Sequence, residues 1–135
     1  MAGTERDPFW GKVIHSYSRA QAIDDGFLLD AGPQAREAGL SIPTVLTRSV
    51  WNRCVEVPES QKGIQDESGR LWDVLYMASV AMRAAVRAGR VGDRLAYDVL
   101  VRDGDGRRRT VSIIAHVGPG DAGEPVLTLM FPEDD

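Results

Sequence analysis

Few residues in this chain have the type and spacing to do chemistry. His15, Tyr17 and Ser18 sit where a β-prone run, Val13 to Tyr17, gives way to a helical one. A polar side chain at a strand end can face a cleft and touch a ligand there. Ser18 has a second account, as the N-cap whose hydroxyl accepts from a free amide of the first helical turn. The second histidine, His116, lies about a hundred residues from His15 and the chain has one cysteine, so a protein-only zinc site would need carboxylates and no metal is expected. Cys54 falls on the apolar face of a helical run with no base adjacent, which predicts a buried thiol and not a nucleophile. Trp72, Asp73 and Tyr76 fall largely off the apolar stripe of the longest helical run. An aromatic pair at a spacing of four beside a carboxylate either forms a partner-binding patch or packs under the sheet or the N-terminal segment. The run Arg107 to Arg109 reads as solvated turn or edge-strand charge, with contact to a phosphate or an acidic partner as the alternative. No phosphate loop, G-x-S-x-G, H-E-x-x-H or C-x-x-C is present.

These residues need elements to hold them. "RAQAIDD" is a short helix that Ser18 caps and Gly26 stops, and "FLLD" is a strand. "GPQAREAG" repeats the plan, with Pro33 in the first turn and Gly39 as the stop. Residues 43–46 are extended, and Thr47 caps a third helix, "RSVWNRCVEV", that ends at Pro58. In "RLWDVLYMASVAMRAAVRAG" the residues Leu71, Val74, Leu75, Ala78, Ala81, Met82 and Ala85 recur at spacings of three and four. That period predicts one long amphipathic helix, with Asp66, Glu67 and Ser68 at its open amides and Gly89 as its stop. The last third changes period. "LAYDVLV", "RTVSIIAHV" and "PVLTLMF", separated by "RDGDGR" and "GPGDAGE", predict a three-stranded antiparallel meander. The expected fold is α+β: a single domain over residues 9–132, an antiparallel sheet packed on one long helix, and short N-terminal helices. Residues 1–8 are expected to be flexible and residues 133–135 to form a frayed acidic tail.

Composition narrows the function classes. The net charge of −4 lacks the basic excess of a nucleic-acid binder, so nucleic acid is not expected as a partner. No apolar run reaches membrane-spanning length and the N-terminus has no secretory apolar core, so the expected location is the cytoplasm, with no membrane contact.

Two resemblances add to this reading. His15, Tyr17 and Ser18, followed by a helix and Gly26, are similar to the start of ADP-ribosyltransferase-like folds. That resemblance implies NAD as cofactor, a His on the strand that grips it and a later catalytic Glu, for which Glu124 is the candidate. The blocks "SYSRAQAIDDGFLLD", "AREAGLSIPTVLTRSVW", "QDESGRLWDVLYMA", "GDRL" and "GPGDAGEPVLTLMFPEDD" together resemble an uncharacterised bacterial family, a domain of unknown function common on plasmids, phages and integrated mobile elements. This second resemblance implies a mobile-element accessory protein. The leading expectation is a non-enzymatic protein-binding module without a cofactor that counters host defence. Self-association through the second sheet face is the plainer option.

Overall fold

The protein is described by a computed structural model over residues 17–90 and 92–134. The expected flexible segment 1–8, the predicted strand from Val13 through Ser16, and His15 lie outside the described residues; Tyr17 belongs to no strand. Helix α1 (Arg19–Asp24) starts at Ser18 in a full capping box: its hydroxyl accepts from the Gln21 amide, and the Gln21 side chain accepts from the Ser18 amide. Strand β1 (Leu28–Asp30), helix α2 (Pro33–Glu37) and strand β2 (Thr44–Thr47) follow as the turn residues predict. Gly39 ends α2 at φ 102°, and a Cβ there would meet Ser79 and Arg83 of the long helix, so only glycine lets the two helices approach so closely.

The third helix departs from its expected form. Thr47 caps it, but regular helix covers only α3 (Arg48–Val50), and residues Trp51–Val55 form a π turn closed by the Glu56 amide on the Trp51 carbonyl. The wider turn brings Val55 into line with Val50, so Val50, Cys54 and Val55 are all buried while Val57 is only half-buried. Helix α4 (Glu67–Arg87) begins at Asp66, whose carboxylate accepts from the Gly69 amide at 2.7 Å. Its stripe of Leu71, Val74, Leu75, Ala78 and Ala85 is buried. Burying a Leu or Val side chain stabilises by about 1.5–3 kcal/mol, so this stripe fixes α4 on the sheet.

The sheet has five strands in the order β1-β2-β5-β4-β3, where β3 is Arg94–Arg102, β4 is Arg108–Pro119 and β5 is Pro125–Met130. The meander is present, and the upstream strands extend it. The sheet is mixed, not wholly antiparallel, because β5 slots between β4 and β2 and runs parallel to β2, with Thr44 opposite Leu127 and Leu46 opposite Leu129. A parallel pair needs a crossover, and everything from α3 to β4 supplies it. One sheet face packs Leu46, Tyr97, Val99, Val101, Ile113, Ala115, Leu127 and Leu129 with the α4 stripe as the main core. Val45, Val126 and Met130 point to the other face by alternation and are buried there, as is Ala22 of α1.

Residues Pro132–Asp134 make a single tight turn, and the Asp134 carboxylate accepts from the hydroxyls of Thr47 (2.8 Å) and Ser49 (2.7 Å) and from the Phe131 amide (2.8 Å). The acidic end thus ties β5 to the start of α3.

Candidate functional site

The sequence-predicted site residues divide between two places. Tyr17 precedes α1 and donates its phenol proton to Asp25 at 2.6 Å, with its ring edge-on to Phe27. That hydrogen bond, with some desolvation and the Asp25 charge, pushes its pKa up to about 12. Glu124 lies in the β4–β5 turn and accepts from the Ala122 amide of the same turn at 3.0 Å. The residue that links the two regions is Asp121, whose carboxylate takes the Arg19 and Ala20 amides at 2.8 and 3.1 Å. Sequence reasoning missed it because an acid in a Gly-rich turn carries no mark of the helix it will cap from a hundred residues away. Tyr17 and Glu124 therefore each have a structural partner.

Trp72, Asp73 and Tyr76 come together on α4. The two rings stack with centroids 5.7 Å apart and planes at 15°. Trp72 is half-buried beside the core and borders the surface near α2, whereas Tyr76 borders the surface near β3. Asp73 lies between them, and partial desolvation raises its pKa against the opposing pull of Arg70.

Tyr76 opens onto a groove of about 700 Å³ that follows the outer side of β3 beside α4. Its apolar wall is Tyr76, Met77 and Leu100, which are 43%, 38% and 56% exposed. Beneath it runs the backbone of β3, the end strand of the sheet. At one end of the β3–β4 ladder the Val117 amide donates to the Asp93 carbonyl, and at the other the Asp103 amide donates to the Arg107 carbonyl. In an antiparallel pair, bonded positions alternate. The odd-numbered residues of β3 are therefore bonded to β4, and Ala96, Asp98 and Leu100 turn their N–H and C=O groups outward. Among the described residues no strand pairs with this edge.

Arg70 closes one end of the groove. It is 6% exposed, and its guanidinium donates to the outward carbonyl of Arg102 (2.7 Å), to the Gln65 side chain (3.1 Å) and, at 3.4 Å, to the Arg53 carbonyl within the π turn. Arg70 thereby satisfies carbonyls that strand and helix leave open. Its Nε has no partner, and no carboxylate pairs with it among the described residues. Burial depresses its pKa.

The arginine run beyond the hairpin is not uniform, and β4 is not an edge strand. Arg109 bonds Asp103 at 2.8 Å and Asp105 at 2.7 Å, and Arg53 holds the other oxygen of Asp103 at 2.7 Å. The Arg109 hydrogen bond holds the Asp103 carboxyl below its ordinary range and Asp105 at about 2. This network pins the hairpin tip to the π turn. Arg108 points to the other sheet face, directly opposite Arg102, and lines the groove.

Cys54 sits at the groove floor, 1% exposed, with its pKa pushed up by burial to about 11 against the pull of Arg53 and Arg70. At about pH 8 roughly one thiol in a thousand is then ionised. The native protein should leave a thiol reagent such as Ellman's disulfide unconsumed, and one equivalent should react once denaturant unfolds it. Rapid labelling of the folded protein would show that the thiol is reachable from the groove.

Among the described residues no three His, Cys, Asp or Glu side chains converge to hold a metal ion, and no helix is long and apolar enough to cross a membrane. The model of a family of unknown function (DUF6573) matches residues 9–135. No curated protein and no solved structure matches the chain.

Proposed function

Because the chain belongs to this family of unknown function (DUF6573), which assigns no chemistry, we propose from the groove itself that the protein is a non-enzymatic module that binds an extended segment of a partner protein. The observation that carries this reading is the outward-turned edge of β3 beside an apolar groove. A peptide that adds a strand there gains main-chain hydrogen bonds from the edge, and the pockets beside it select alternate side chains. One register of self-pairing is disfavoured. Pairing two β3 strands about Asp98 would set Asp98 against Asp98 and Arg94 against Arg102, and like charges directly opposite destabilise a sheet.

On the resemblance of its sequence blocks, the proposal extends to a bacterial mobile-element accessory protein that occupies a host protein's exposed segment and so counters host defence. The alternative, a small ADP-ribosyltransferase-like enzyme with NAD as cofactor, gains nothing from Tyr17 and Glu124, whose polar atoms are engaged by Asp25 and by the Ala122 amide.

The test is selection from a displayed library of random decapeptides on the native protein, followed by binding of the enriched peptides to a Leu100→Pro variant. Proline at this outward position removes an edge donor and projects its ring into the path of a docking strand. Enriched peptides should lose at least about tenfold in affinity for the variant, the equivalent of one or two hydrogen bonds. Failure to enrich any peptide, or equal binding to both proteins, would overturn the reading.

A further inference from the structure

The groove has two unlike ends. Toward the Arg102 end of β3 three arginines line it, Arg70, Arg102 and Arg108. None of them has a carboxylate partner among the described residues, although the neighbouring Arg109 and Arg53 are both paired with Asp103. Arg102 and Arg108 face each other across the β3–β4 ladder, an arrangement of like charges that costs stability unless an anion lies between or beside them. Arg102 spends one nitrogen on the Gly106 carbonyl at 2.8 Å, and Arg108 makes no side-chain bond to any described residue. Arg70 is more than nine-tenths buried with an unpartnered Nε. Three cations thus line this end of the groove, and although Asp73 and Asp98 also line it, neither forms an ion pair with any of the three among the described residues.

The same end is where an added strand must stop. The outward carbonyl of Arg102 is already taken by Arg70 and by Gln65 Nε2, so edge pairing cannot continue past it. A docked chain therefore either leaves the surface or ends there. If it ends there, the surrounding guanidinium groups favour a carboxylate terminus and repel an ammonium terminus. A chain whose C-terminus meets the Arg102 end runs in the same direction as β3.

We propose that the arginine-lined end of the groove binds the C-terminal carboxylate of a partner polypeptide that adds to β3 as a parallel strand. Arg108 and Arg102 contact the carboxylate directly, and the buried Arg70 both ends the strand and raises the local positive potential. Arg70 also has a purely structural duty at the Arg53 and Arg102 carbonyls, so the test avoids changing it.

The inference rests on the strand-docking reading, and its test separates the two. Peptides enriched from a library displayed with free C-termini are synthesised as the C-terminal acid and as the C-terminal amide. Binding of each to the native protein, to Arg108→Gln and to Leu100→Pro is measured by fluorescence anisotropy. The acid should bind about tenfold or more tightly than the amide, an advantage worth one charge-assisted contact. Arg108→Gln should weaken the acid far more than the amide and so erase most of that ratio. If acid and amide bind alike yet both fail on Leu100→Pro, the strand-docking reading holds and the carboxylate site is overturned. The carboxylate site is likewise overturned if binding tracks an acidic side chain within an amidated peptide. If no peptide responds to Leu100→Pro, both proposals fall together.

Discussion

Proline at position 99 should cost about 3–5 kcal/mol of stability, whereas proline at position 100 should cost about 1 kcal/mol. The two residues are neighbours on one strand and differ in which way their backbone faces and in whether their side chain is in the core. Val99 is 4% exposed and is paired with Val111 at an odd, ladder-bonded position of β3. Its replacement removes an inter-strand donor, orphans a carbonyl that β4 presents to it, and trades a core Val side chain for a ring that does not fit. An unsatisfied buried acceptor costs about 1–3 kcal/mol, and the lost burial adds to it. Leu100 is 56% exposed, and its amide points away from the sheet. Proline there removes no ladder bond, and the residue before it is already extended, as proline demands. Urea unfolding followed by circular dichroism reads both. Against a total stability of about 5–15 kcal/mol for an ordinary domain, the first variant should sit near the edge of folding and the second should behave like the native chain. Equal losses at the two positions would mean that the edge of β3 is not where the ladder places it, and the docking surface would be lost with it.

Local signals explain why much of this architecture is legible in the sequence. Ser18, Thr47 and Asp66 cap the helices they precede because a side-chain oxygen two or three residues from a free amide has little else to bond. Gly26, Gly39 and Gly89 stop helices at φ values of 83°, 102° and 73° that other residues avoid. The α4 stripe and the alternation in β3 and β4 are set by periods of 3.6 and 2, which show along the chain itself. What stays hidden is long-range. The parallel union of β2 with β5 brings together residues 44 and 127, and no local pattern encodes it. The π turn at Trp51–Val55 has the composition of an ordinary helix, and only the demand to bury both Cys54 and Val55 distinguishes it. The groove is the clearest case. Tyr76 is visible as an aromatic off the stripe, but Leu100 reads as a routine strand residue, and Arg108 as turn or edge charge with an anionic contact as the alternative, until the sheet order makes β3 an edge. Arg70 reads as one more charge at a helix start, although its target is the end of a strand 32 residues later.

Replacing Leu75 by alanine should cost about 3–4 kcal/mol, while replacing Tyr76, the next residue, should cost about 1 kcal/mol. Leu75 is fully buried and lies in the centre of the stripe that fastens α4 to the sheet. Its truncation loses the transfer energy of the removed carbons and leaves a cavity that the surrounding β-branched residues are too stiff to fill. Tyr76 is 43% exposed, and the described contact it would lose is its stack on Trp72. An aromatic pair contributes about 0.5–1.5 kcal/mol beyond area burial. The urea midpoint should therefore fall steeply for Leu75→Ala and slightly for Tyr76→Ala, with the slope of the transition unchanged in both. The contrast bears on function as well as stability. A side chain that contributes little to folding yet lines the groove is available to a partner, and Tyr76→Ala should weaken peptide binding more than it weakens the fold. Were Tyr76→Ala to cost as much stability as Leu75→Ala, the aromatic wall of the groove would belong to the core, and the docking surface would shrink to the edge of β3 and its arginine end.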